Sequence, residues 1–379
     1  MGILLRTTPE IPKPTVGVPA RQERLIALDV LRGVTIAAMI LVNNPGSTAA
    51  YGPLKHARWN GWTPTDLIFP FFLFIVGVSL VFSFASRVRR GDSRNALVLH
   101  ALRRSAIIFA MGLFLNGLPG FHLATWRIPG VLQRIAIAYL AAALITLYSR
   151  THTPIAWVVV LLAGYWGLMR FVAAPGHGIP AHDVALLDPD ANLAAFLDRK
   201  LMSGHLWEGT RDPEGMLSTL PAIATTLCGV LTGEWLRSNR DPKQKTAGML
   251  AAGLAGIIAG EAWGVWFPIN KNRWTSSYVL FTAGCALLCL AICYWAIDVK
   301  LRRGWWTMPF VIFGSNAIAA YVVSELLGGA FGSKDRLFQH TFASIRPPGL
   351  ASLFYSLAVV GVCFLPVWWM YRKRIFLKA

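Results

Sequence analysis

Val42-Asn43-Asn44-Pro45-Gly46 closes one apolar run, and Lys55-His56-Ala57-Arg58-Trp59-Asn60-Gly61-Trp62-Thr63-Pro64-Thr65-Asp66 leads directly into the next at Leu67-Ile68-Phe69-Pro70-Phe71-Phe72. Both runs approach the roughly 20 apolar residues that a helix needs to cross a bilayer. One imidazole, several amides and a carboxylate are packed between them. His56 is the candidate reactive centre, because an imidazole can exchange a proton near neutral pH or act as a nucleophile.

The same alternation of apolar runs and short polar connections continues to the end of the chain. It predicts an all-α, polytopic membrane helix bundle of about ten transmembrane helices, near 27–45, 64–85, 105–120, 128–149, 155–173, 214–236, 246–265, 275–297, 307–328 and 349–370. Composition agrees: 55% of the 379 residues are hydrophobic and only 14% charged, with 15 Trp and 21 Phe, and a soluble domain needs more polar cover. The net charge of +18 does not point to nucleic acid, because no basic stripe alternates with stacking aromatics. Its basic residues instead cluster in alternate connections: Arg87, Arg89, Arg90, Arg94, Arg103 and Arg104, then Arg150, then Arg237, Arg240, Lys243 and Lys245, then Lys300, Arg302 and Arg303. By the positive-inside rule these face the cytoplasm, as do both termini, and His56 faces the opposite, periplasm-like side. Residues 1–24 are expected to be a cytoplasmic tail rather than a signal peptide, and 25–379 a single transmembrane domain. The connection 174–213, too long for a turn and too polar for a span, is expected to form a periplasmic loop or cap.

Ionisable and amide groups inside apolar runs are candidates for function, since each is costly in hydrocarbon. Asp29 and Arg32, three residues apart, have the spacing of an intrahelical ion pair or could touch a cofactor. Thr63-Pro64-Thr65-Asp66 has the form of a capping box, and Arg211-Asp212-Pro213-Glu214-Gly215 repeats that logic, so two capped helix starts are expected on the His56 side. Gln133 and Arg134 lie early in the fourth run, too deep for the guanidinium to reach water easily. A second polar cluster runs from Pro268 to Tyr278, including Asn270, Lys271, Trp274, Ser276 and Ser277, and Asn316 and Glu325 mark the ninth run. The seven other histidines, His100 among them, read as solvated loop residues. Cys285, Cys289 and Cys293 share a helix face but have no histidine or carboxylate beside them, so no metal site is expected. Nor is there a nucleophile elbow, Walker loop or dinucleotide fingerprint. A histidine flanked by amides, a carboxylate and two tryptophans fits acyl transfer.

Leu28-Asp29-Val30-Leu31-Arg32-Gly33, Met39 to Gly46, His56 through Asp66 to Gly77, Gly130 to Arg134, Asp212 to Gly215, Pro268 to Tyr278 and Gly314-Ser315-Asn316 together resemble the transmembrane heparan-α-glucosaminide N-acetyltransferases and their bacterial relatives. The resemblance implies a multi-pass enzyme of the bacterial inner membrane that moves acetyl from cytoplasmic acetyl-CoA to the amine of a glucosamine-type sugar or cell-wall fragment on the far side. It implies His56 as nucleophile or general base, with Asn43 and Asp66 as further catalytic residues. Asn44, Arg134, Gln133, Asn316, Arg32, Ser276 and Ser277 are the candidates for binding the coenzyme. Trp59, Asn60, Glu214, Asn270, Lys271 and Trp274 are those for the acceptor. The expected partners are the bilayer, acetyl-CoA and a small amino sugar, with room for a homodimer. The coenzyme's nucleotide is expected among the basic inner ends of the helices and its thioester near His56. The competing reading is an inner-membrane permease for N-acetylglucosamine, with the same polar residues forming a binding site.

Overall fold

The computed structural model describes residues 25–118, 120–149, 153–330, 338 and 340–377. The proposed tail 1–24 lies outside them. Twelve α-helices and no extended strand occur among the described residues: α1 (Ile26–Asn43), α2 (Ile68–Arg89), α3 (Arg94–Gly117), α4 (Val131–Tyr148), α5 (Thr153–Phe171), α6 (Leu193–Met202), α7 (Thr219–Arg237), α8 (Pro242–Gly264), α9 (Ser276–Cys293), α10 (Met308–Ser315), α11 (Ala317–Glu325) and α12 (Pro348–Arg372). Eight helices are long and apolar enough to cross a membrane. The pair Trp305–Ser315 and Ala317–Gly328, bent by 74°, forms a ninth element if counted as one span. Helix α7 has 19 residues, carries four Thr and two Gly, and packs centrally against α2, α4, α5 and α9. With it, each of the ten expected spans corresponds to a helix or a broken helix.

Two boundaries differ from expectation. Helix α3 starts at Arg94 rather than near 105, capped by Ser93, whose Oγ accepts the Ala96 N–H at 3.3 Å. Arginine is a good helix former, so Arg94, Arg103 and Arg104 extend the helix beyond its apolar part instead of ending it. Helix α7 starts at Thr219, because 213–218 are folded into turns around buried Asp212 and Asp198, and no helix opens at Pro213.

Small residues let the central helices touch backbone to backbone, as is common where no water drives helices together. A Cβ on Gly77 of α2 would lie 1.9 Å from the Thr226 carbonyl of α7, and one on Gly229 would lie 2.0 Å from the Phe74 carbonyl. Helices α1 and α10 meet in the same way at Gly33 and Gly314. These contacts fix α2 at the centre, with Asp66 and His56 at its N-terminal end and Arg87, Arg89 and Arg90 at the other.

Gly77→Val should therefore force α2 and α7 apart, at a cost of about 1–3 kcal/mol or more. A lowered midpoint of thermal unfolding in detergent, against an unaffected Gly164→Val control in open space, is the expected result.

Candidate active site

Thr63-Pro64-Thr65-Asp66 folds as the expected capping box, on a 3₁₀ turn that runs into α2. The box places the Asp66 carboxylate in the interior, 1% exposed, where an ionised group must be fully hydrogen-bonded. Oδ2 accepts the N–H groups of Ala57 and Thr63, both at 3.0 Å, with the Thr63 hydroxyl oxygen 3.1 Å away. Oδ1 lies 2.7 Å from His56 Nδ1. The loop carrying His56 is tied down by the Thr63 hydroxyl on the Lys55 carbonyl and the Thr65 hydroxyl on the Pro53 carbonyl. The Tyr278 hydroxyl of α9 donates to the Asp66 carbonyl from below. An Nδ1–H donated to Asp66 fixes the tautomer and leaves Nε2 with its lone pair, on a side chain 48% exposed.

Lys271 completes this group from the loop before α9. Its Nζ lies 2.9 Å from Nδ1 and 3.2 Å from Nε2 of His56, and 3.7 Å from Asp66 Oδ1. Burial lowers the Lys271 pKa against the opposing pull of Asp66 and Glu214.

The 174–213 connection contains α6 and reaches the His56 loop. The Trp59 indole N–H donates to the Leu187 carbonyl at 2.8 Å, and the Trp59 ring has the Arg211 and Arg273 guanidiniums each 5.6 Å from its centroid. Asn270 donates to Asn60 Oδ1 at 3.0 Å, and the Gly61 N–H to the Ile269 carbonyl at 2.8 Å, joining the His56 loop to the loop of Lys271. Asp212, completely buried, takes both Nε and Nη2 of Arg127 at 2.9 and 2.7 Å, and Arg127 also reaches Glu214 at 2.6 Å. Burial opposes Asp212 ionisation, yet Arg127 and the Trp207 and Glu214 N–H groups hold its carboxyl below the usual range. Asp198 is the opposite case: Oδ1 accepts the Met216 N–H, Oδ2 has no partner, and burial raises its pKa.

Deeper in, Arg134 is 1% exposed and donates from Nη2 to the Gly215 carbonyl at 3.0 Å and Ser218 Oγ at 2.5 Å, with its guanidinium 5.1 Å from the Trp274 ring centroid. Among the described residues, its Nε and Nη1 have no partner, nor does Gln133 Nε2.

At the other end of α2 lies a cavity of about 870 Å3. Arg32, Arg87, Arg90, Arg103, Arg104 and His100 line it, with Asp29 as the acidic residue in the wall. Arg32 holds Asp29 at 3.2 Å, the Gly314 carbonyl at 3.1 Å and Ser79 Oγ at 2.8 Å. The cavity extends along α2 to Phe72, six residues from Asp66, which is about 9 Å of helix rise. Part of its wall is the segment Phe376-Leu377, held by Asn316: Nδ2 donates to the Ile375 carbonyl and Oδ1 accepts the Leu377 N–H, both at 3.0 Å.

The expected residues thus divide. His56, Asp66 and Lys271 converge, with Asn60, Asn270 and Trp59 fixing the loops around them. Asn43 ends α1 as an exposed residue outside the hydrogen-bonded set at His56. Of the seven coenzyme candidates only Arg32 lines the cavity. Asn44 donates to the Ile40 carbonyl, and Ser276 and Ser277 donate to the Leu162 and Phe267 carbonyls, so these three close helix ends and contacts. Asn316 acts on the cavity through the C-terminal segment, Arg134 and Gln133 lie nearer the 174–213 connection, and Glu214 and Trp274 are bound to Arg127 and Thr225. The arginines of α2 and α3 lie among the basic inner ends where the coenzyme's nucleotide is expected, and His100, which reads as a solvated loop residue, joins them in the cavity wall.

An all-helical polytopic membrane protein, with a carboxylate-held imidazole at one end and an arginine-lined cavity reaching toward it from the other, is the class these features define. The chain belongs to the family described as heparan-alpha-glucosaminide N-acetyltransferase, catalytic, whose family model matches residues 24–261. It is similar to the heparan-alpha-glucosaminide N-acetyltransferase of Homo sapiens, 28% identical over 441 aligned residues that cover 100% of this chain and 64% of that protein. It is likewise similar to that of Mus musculus, 29% identical over 415 residues, with 94% and 60% covered. The chain therefore spans less than two thirds of the length of these relatives.

A carboxyl whose folded-state pKa is raised contributes stability below its unfolded value, near 3.8, and loses it as pH rises through the folded value. Asp198→Asn keeps the acceptor for Met216 and removes the buried charge, so it should raise the thermal midpoint at pH 7. The gain should shrink toward pH 4 in a melting series.

Proposed function

We propose that this chain is a membrane-bound acetyltransferase that moves acetyl from acetyl-CoA to the amine of a glucosamine-type sugar, with His56 as nucleophile or general base. Family membership supports the reaction class. The observation that carries the reading is the continuity of α2, which has the arginine-lined cavity along one end and the Asp66–His56 pair at the other. The cavity suits the donor: guanidiniums bind phosphates as forked, charge-assisted donors, and its volume lies within the usual range for ligand pockets. The upper walls, Phe72, Val76, Ile108 and Ile135, are apolar, as the uncharged arm and acetyl group of the donor require.

In this reading the arginine end faces the cytoplasm of a bacterial inner membrane and the His56 end the periplasm. The distribution of basic residues supports that orientation. The thioester then meets His56 from below and the acceptor from above. Asp66 holds the imidazole in the tautomer whose Nε2 either takes the acetyl group or removes a proton from the amine. Trp62 and Asn60, exposed beside His56, are available to the acceptor.

Purified protein given labelled acetyl-CoA and glucosamine should form N-acetylglucosamine, and His56→Ala should lower kcat by about 100-fold or more. Undiminished transfer by His56→Ala would overturn the role of His56. Uptake of N-acetylglucosamine into proteoliposomes without acetyl-CoA, insensitive to the same substitution, would favour a permease. Arg103→Ala with Arg104→Ala should weaken acetyl-CoA binding by roughly 10-fold or more, since each charge-assisted bond is worth about 1.5–3 kcal/mol. Calorimetric titration in detergent, repeated at raised salt, measures the effect.

A further inference from the structure

We propose that Lys271 is the general acid of the transfer, the group that gives a proton to the coenzyme sulfur as the thioester breaks. This inference rests on the acetyl transfer set out above. The ammonium touches both ring nitrogens of His56, at 2.9 and 3.2 Å, so a carbonyl carbon brought to Nε2 has its departing sulfur beside Nζ as well. Lys271 is also ion-paired with Asp66, which keeps the ammonium beside the imidazole. That carboxylate already accepts the His56, Ala57 and Thr63 N–H groups at hydrogen-bond distance, and Nζ, 3.7 Å from it, stands nearer to both ring nitrogens of His56. The lysine's position is set by its own loop, where the Trp274 N–H donates to the Lys271 carbonyl at 3.0 Å. The charged or titratable groups acting on it are His56, Asp66 and Glu214. Burial moves Lys271 downward, toward the range in which an ammonium can give its proton to a thiolate.

The protons balance by either route. With His56 as base, the acceptor nitrogen bonds to the carbonyl carbon, its proton passes to Nε2, the C–S bond breaks and the sulfur takes the Lys271 proton. His56 then releases that proton to solvent from its half-exposed ring and Lys271 takes one up, so both side chains return to their starting states. With His56 as nucleophile, Nε2 bonds to the carbonyl carbon and the sulfur again takes the Lys271 proton. The acceptor's ammonium then restores that proton and attacks the acetyl-imidazole as a free amine, and its remaining excess proton leaves through His56.

The test compares the full-length parent with Lys271→Gln and Lys271→Arg, using acetyl-CoA and p-nitrothiophenyl acetate as donors and glucosamine as acceptor. The thiolate of the second donor departs without a proton. Both substitutions should lower kcat with acetyl-CoA by about 100-fold, with KM changed less than about threefold, while transfer from the activated donor stays within about threefold of the parent. The parent's kcat should fall on the alkaline side as Lys271 loses its proton, and Lys271→Arg should remove that limb. Retained acetyl-CoA binding shows that each variant is folded. Parallel losses with both donors, an unchanged alkaline limb, or near-normal kcat with acetyl-CoA would each overturn the role of Lys271. A parent that acetylates no amine from acetyl-CoA would instead overturn the function on which it rests.

Discussion

A carboxylate withdrawn from water must be met by enough donors to replace its hydration, and Asp66 meets that condition by pulling its surroundings into place. Its three N–H donors come from His56, Ala57 and Thr63, all in the connection between α1 and α2. Satisfying Asp66 therefore folds the loop, presents the imidazole, and starts α2 in a single arrangement. The Tyr278 hydroxyl on the Asp66 carbonyl and Lys271 beside His56 extend the same arrangement to α9. Removal of the carboxyl would cost orientation and loop structure together.

The rest of the bundle brings two chemically different ends to the two ends of one helix. Helix α2 can do this because it lies at the centre, where Gly77 and Gly229 let it touch α7 without intervening side chains. Around the His56 end, the 174–213 connection is held by ionic contacts such as Arg127 with Asp212 and Glu214, and by Trp59 between Arg211 and Arg273. Around the far end, cationic side chains dominate a cavity walled by α1, α2, α3, α4 and the C-terminal segment. The two ends of the same element thus present different chemical environments.

Much of this was legible in the sequence, because bilayer thickness imposes a length on apolar runs. The ten runs, the Thr63 capping box and the Asp29–Arg32 pair are all present. The failures have physical causes. Asp212-Pro213 looks like a helix start, but Arg127 occupies the carboxylate and Gly215 packs on Asp198, so the chain turns instead. His100 reads as a loop residue because charge around it masks the extension of α3. Ser276 and Ser277 read as ligands, although hydroxyls in apolar surroundings bond to the nearest backbone carbonyl first. Lys271 was expected to bind the acceptor, and its contact with His56 joins residues 215 positions apart, which local pattern cannot reveal.

That separation governs how the protein is made. Helices α1 and α2 leave the ribosome and enter the bilayer while residues 271 and 278 are still unsynthesised, so the imidazole end begins as a hairpin lacking its amine and its phenol. Reactive geometry appears only after α3, α4, α5, α7 and α8 have been threaded and α9 has come back to lie against α2. A nascent chain is chemically silent for most of its synthesis, and the centre acquires its full set of groups only as the bundle closes.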